Sequence, residues 1–239
     1  MQRDELMNPA GGGTAGAGSG WLLTAYKTSV GKKAVMAVTG TILFLFVLVH
    51  LLGNLQVFMG AERLDAYSRF LRIEPALLWV IRLVLLATAL LHVFTGFLLW
   101  LENRAARPVG YAHQQTVTAT LASRTMIYSG LIVMGFIIYH LLHLTLGVVG
   151  PAGYQFEHGR VFQNVVNGFR DPFISGLYIL GQLLLYFHLS HGLQSLFQTL
   201  GWNHPKYEPT VKRTGMVLAF LIAAGNICIP LAVLFQLVH

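Results

Sequence analysis

Histidine recurs where this sequence is otherwise hydrocarbon. Gly40–His50 reads GTILFLFVLVH, and ninety residues later Gly130–His140 reads GLIVMGFIIYH, with the same ten-residue step from glycine to histidine. Two further apolar runs carry histidine: LVLLATALLHVFTGFLLW around His92, and LYILGQLLLYFHLSHGL around His188 and His191. Ionisable side chains are costly inside a bilayer and mark function when they occur there. Imidazoles on four separate apolar stretches point to one shared site, and axial ligation of haem iron is the first chemistry to consider. The single cysteine, Cys228, leaves no pair for a disulfide, no cysteine-ligated iron–sulfur cluster and no C-x-x-C-H attachment, so a haem would be held without a covalent link.

The elements that must position these histidines are membrane helices. Of 239 residues 55% are hydrophobic and 10% charged, against roughly 25% charged in a soluble domain. Five apolar runs, near 34–60, 77–101, 125–149, 173–199 and 215–238, are each long enough to cross about 30 Å of hydrocarbon as a helix. The expected architecture is an all-α integral membrane protein of five transmembrane helices in one domain, 21–239, with two haems between the first four. Residues 1–20, ending in PAGGGTAGAGSG, read as a disordered glycine-rich tail without the apolar run of a signal peptide.

The net charge of +7 could signal nucleic acid, but its distribution follows membrane orientation instead. With the N-terminus inside, the inner segments hold ten basic and four acidic residues and the outer ones six and five. The reading is therefore N-terminus inside, C-terminus outside; the membrane expected is a bacterial-type cytoplasmic one. Trp21, Tyr26, Lys27, Lys32 and Lys33 suit the inner headgroup layer, and Pro75 is placed for the first turn of the second helix.

Rise per residue converts position into depth. His50 and His140 each lie about ten residues before the outer end of an outward-running helix. His92 and His191 each lie about nine residues before the inner end of an inward-running one, so the four sort into two levels roughly 10 Å apart. A single histidine in a span has a simpler use, bonding a neighbouring helix; four at paired depths favour ligands. Gly40 and Gly130 would let a flat macrocycle approach the backbone. His143 and His188, each three residues from a ligand candidate, could serve a zinc or di-iron site, but such sites also need carboxylates and none lies within the core of a span. They read instead as groups bonded to backbone, propionate or quinone. Arg82, seven residues after Pro75, is expected either to pair with a propionate of the outer haem or to reach the outer headgroups.

The histidine pattern, together with VGKKAVMAVTG (Val30–Gly40), YHLLH (Tyr139–His143) and HGLQSLFQTLGWNHPKY (His191–Tyr207), resembles the dihaem cytochrome b membrane anchor of succinate dehydrogenase and fumarate reductase from about Lys27 onward. The resemblance implies two non-covalent bis-histidine haems b, with His50 and His140 on the outer haem and His92 and His191 on the inner. It implies flavoprotein and iron–sulfur partners on the inner face, exchange of electrons with menaquinone or ubiquinone, and no succinate chemistry in this chain alone. Lys27, Lys32, Lys33, His113 and Asn203–Tyr207 are the expected contacts for those partners. Another respiratory or hydrogenase-type cytochrome b is the nearer alternative. A histidine-lined transporter is the more distant one, and would call for acidic residues and broken helices in the spans.

Overall fold

A computed structural model describes residues 20–106, 125–202 and 204–239. The tail before Gly20 and the expected contacts His113 and Asn203 lie outside these. A short helix, α1 (Gly20–Lys27), leads into α2 (Ser29–Asn54), which continues as a 3-10 turn over Leu55–Met59. Then come α3 (Ala61–Phe70), α4 (Pro75–Ala105), α5 (Met126–Leu144), α6 (Val161–Phe169), α7 (Pro172–Thr199) and α8 (Glu208–Leu234). Five of these elements are long and apolar enough to cross a membrane: α2 with its 3-10 extension, α4, α5, α7 and α8. The chain is an all-α, multi-pass membrane bundle.

Local chemistry sets where the helices begin and end. Thr28 caps α2 by accepting from Gly31 N–H, and Asp171 caps α7 by accepting from Phe173 and Ile174 N–H. Pro75 and Pro172 sit in the first turns of α4 and α7, where no amide is required. The third span stops at Leu144 rather than near 149, because Gly147 takes φ +66° and the Phe156 ring packs where its Cβ would be. In α8, Pro230 cannot donate one turn back, and the helix nevertheless continues to Leu234.

We call the end of the bundle holding Lys27, Glu102 and residues 200–208 the near end, and the opposite end the far end. The connections between spans at the far end contain two short helices, α3 and α6. They build a cap. Val57, Leu64, Phe162, Val166, Phe169, Ile174, Tyr178, Ile229, Ala232, Val233 and Val238 form the buried core, so the densest packing lies under this cap and not at the bundle's middle. Asp65 on α3 accepts from Phe162 N–H at 3.0 Å and ties the first residues of α6 to α3. Between the ends, the helices turn large apolar side chains outward, and α4 buries only Thr88 and Thr95 of its 31 residues. That distribution suits lipid as solvent, since there is no hydrophobic gain in burying leucine away from hydrocarbon.

The near end is held by polar contacts. Lys32 is 5% exposed, lies 2.7 Å from Glu102 of α4, and donates to Lys27 C=O at 3.0 Å. Tyr26 Oη stands 3.0 Å from Thr95 Oγ1, joining α1 to α4. Lys32 therefore has its partner within the chain and is no free docking cation, whereas Lys27 and Lys33 remain exposed.

Candidate functional site

The histidines form two pairs at two levels. At the far level His50 of α2 faces His140 of α5, with ring centroids 5.8 Å apart and planes at 87°. At the near level the ring that faces His92 of α4 is His188 of α7, with centroids 6.4 Å apart and planes at 68°. His191, one turn further along α7, makes no ring contact with His92 among the described residues. Three residues turn a helix by about 300°, so only one of the two α7 histidines can point squarely at α4.

The near level is built twice, once by α2 and α4 and once by α5 and α7. A Cβ on Gly40 would stand 3.3 Å from His92 Cε1, and one on Gly130 would stand 3.1 Å from His188 Cε1. The glycines thus belong to the near pair, although each precedes a far-pair histidine on its own helix. The residues just before them repeat the relation: Thr39 Oγ1 lies 2.9 Å from His92 Nδ1, and Ser129 Oγ lies 3.5 Å from His188 Nδ1. At the far level the repeat is aromatic. Phe46 stacks on His50 at 5.3 Å and 19°, and Phe136 lies against His140 at 6.2 Å and 33°. Among the described residues no hydrogen bond reaches the rings of His50 or His140; Phe46 and Phe136 meet them through their rings.

Thr39 and His50 are eleven residues apart on α2, as are Ser129 and His140 on α5. The two levels are therefore about 16 Å apart along the helices, wider than the roughly 10 Å expected from equal 25-residue spans. The helices that carry them run to 26, 31, 19 and 28 residues, so their ends do not lie level.

His143 occupies a different environment. It is fully buried, its Nδ1 lies 3.0 Å from Tyr178 Oη, and its Nε2 has no hydrogen-bond partner. A Cβ on Gly168 of α6 would stand 2.6 Å from that Nε2, so the imidazole is clamped between α6, Tyr154 and Tyr178. The hydroxyls of Tyr139 and Tyr154 are likewise buried without partners. Burial pushes the Tyr154 phenol, in the far-end loop, up to about 12. His143 belongs to the far-end cap and not to the ring pair facing His50. Arg82 lies on the exposed face of α4, its guanidinium 5.2 Å over the Trp79 ring.

The donor set tests what could be held here. Among the described residues no three His, Cys, Asp or Glu side chains come together as a metal cage. Two opposed imidazoles supply two axial bonds and leave the equatorial positions to a macrocycle. With metal–imidazole bonds of about 2 Å, two rings across one metal have centroids about 6 Å apart, which both pairs match. The residues present fit a bis-histidine haem at each level.

The fold and these pairs define a multi-pass helical membrane protein with paired, half-buried histidines facing one another between its helices. Residues 102–228 match the family of succinate dehydrogenase/fumarate reductase transmembrane subunits, and the chain belongs to that family. It is thus a membrane subunit of an oxidoreductase complex. No curated protein and no solved structure matches it. The matched segment contains His140, His143, His188 and His191 but begins after His92. For the first two helices, the internal repeat carries the comparison.

Proposed function

We propose that this chain is the dihaem cytochrome b of a succinate:quinone oxidoreductase, joining a soluble flavin and iron–sulfur part to membrane menaquinone or ubiquinone. The observation that carries the reading is the duplicated pair of facing imidazoles at two depths, each glycine-backed at the near level and phenylalanine-backed at the far one. His50 and His140 would hold the haem at the far level, and His92 and His188 the one at the near level. His188 replaces the expected His191 because it is the ring that faces His92 and because it stands to Ser129-Gly130 as His92 stands to Thr39-Gly40. Haem held by these residues would supply one-electron transfer.

The chain's own residues do the rest. The helices fix the imidazoles at two heights and keep water from them with lipid-facing apolar side chains. The far-end cap, with His143 inside it, closes one end of the bundle. Arg82 on Trp79 is assigned to the headgroup layer rather than to a propionate. The near end takes the inner side from the charge bias, and it presents exposed Lys27, Lys33, Trp202, His204, Lys206 and Tyr207 to a soluble partner.

A reduced-minus-oxidised spectrum with pyridine haemochrome quantitation on the purified complex tests the reading. Two haems b per chain are expected; a complex with full subunit composition and no haem would refute it.

A further inference from the structure

Thr39 and Ser129 each have a single hydroxyl proton to give. Thr39 Oγ1 has one hydrogen and donates it to Val35 C=O at 2.7 Å, with Met36 C=O at 3.3 Å beside it. Its remaining capacity is as an acceptor. The 2.9 Å contact to His92 Nδ1 therefore has the imidazole as donor. The same logic holds on α5: Ser129 Oγ donates to Met126 C=O at 3.0 Å, so at 3.5 Å it can only accept from His188 Nδ1. A neutral imidazole with its proton on Nδ1 has its lone pair on Nε2.

We propose that Thr39 and Ser129 are positioning residues that lock His92 and His188 in the Nδ1–H tautomer, so that both present Nε2 to the site between α4 and α7. This rests on the dihaem reading. The back-bond to the helix carbonyl, ordinarily a mild liability for a helical Ser or Thr, here serves to exhaust the hydroxyl's only proton. Gly40 and Gly130, next in sequence, leave room for each ring's Cε1 edge beside the helix. Hydroxyl and glycine thus work as a two-residue seat, Thr39-Gly40 for His92 and Ser129-Gly130 for His188. Among the described residues the far pair has no such seat, and its rings rest on Phe46 and Phe136. An Nδ1–H that donates makes its imidazole a stronger ligand and favours the oxidised metal. The shorter bond belongs to Thr39, so α2 should exert the larger effect.

The test is a potentiometric titration of the purified complex, monitored optically, with haem counted in parallel. Thr39→Val should keep two haems and shift the midpoint of one upward, leaving the other in place; Ser129→Ala should shift the same haem by less. Thr39→Ser should restore the wild-type titration. Selective loss of one haem in Thr39→Val, with both kept in Thr39→Ser, would support the seat equally. An unmoved midpoint in both variants with two haems bound would overturn it, as would equal damage from Thr39→Val and Thr39→Ser. A wild-type complex without two haems would instead sink the dihaem reading beneath it.

Discussion

His188 and His191 sit one turn apart on α7, yet only the first faces His92. His140 and His143 repeat the situation on α5, where only the first faces His50. A pair of substitutions on each helix separates the roles. His188→Leu and His140→Leu should each leave one haem per complex by pyridine haemochrome, whereas His191→Leu and His143→Leu should leave two. Loss of a haem in His191→Leu with both retained in His188→Leu would return the near pair to His92 and His191. Tyr154 gives a test of the cap that involves no cofactor. The unfolded phenol ionises near 10 and the folded one at about 12. Its contribution is intact below about pH 10 and is lost as pH rises through about 12, because the unfolded state releases the proton first. Tyr154→Phe removes a buried hydroxyl that has no partner, so it should leave neutral stability unharmed and blunt the alkaline loss, read as thermal midpoint against pH.

At the scale of elements, the join between α1, α2 and α4 depends on Lys32. Its ammonium is buried, but Glu102 keeps nearly half its side chain in solvent, and this makes the pair asymmetric. Glu102→Gln leaves a buried cation with weakened compensation and should cost about 1–3 kcal/mol. Lys32→Met leaves a carboxylate that water can reach, and should cost below about 1 kcal/mol. Thermal melts of the two variants in detergent decide the order; equal losses would mean that the pair contributes as a surface ion pair does. The two short cap helices show the opposite logic. Leu64 on α3 and Phe162, Val166 and Phe169 on α6 are buried because at the far end they meet water, where burial is favourable, unlike the lipid-facing residues of α4.

At the scale of the whole molecule, the family places the chain in an oxidoreductase complex, and its single cysteine is too few for a cysteine-ligated cluster. The chain should therefore purify with a flavin subunit and an iron–sulfur subunit on the near end. Reversing charge at Lys27 and Lys33 together, both exposed, should weaken that association in a salt-dependent way. A stable cytochrome recovered alone from mild detergent would count against the partner assignment. In the proposed orientation the near end lies inside. Labelling of a cysteine placed at exposed Lys206 in right-side-out and inverted vesicles should occur in the inverted ones; Cys228, in α8, serves as the background control.

The class and the five spans were legible in the chain alone, because a bilayer forces apolar runs of a set length, and the same rule makes each imidazole within them conspicuous. The Gly40–His50 and Gly130–His140 repeat also set the far pair, since a matched step on two helices running the same way brings His50 and His140 to one height. Direction around the helix axis, by contrast, came from packing. Spacing gives depth, but His188 and His191 differ by about 4.5 Å in depth and far more in azimuth, and the facing of α7 against α4 is set by packing with α5 and α8. For the same reason the partners of Gly40 and Gly130, the role of Thr39 and Ser129, and the burial of His143 against Gly168 were illegible in one dimension. Each is a contact between helices, and nothing within a helix encodes which neighbour its face will meet.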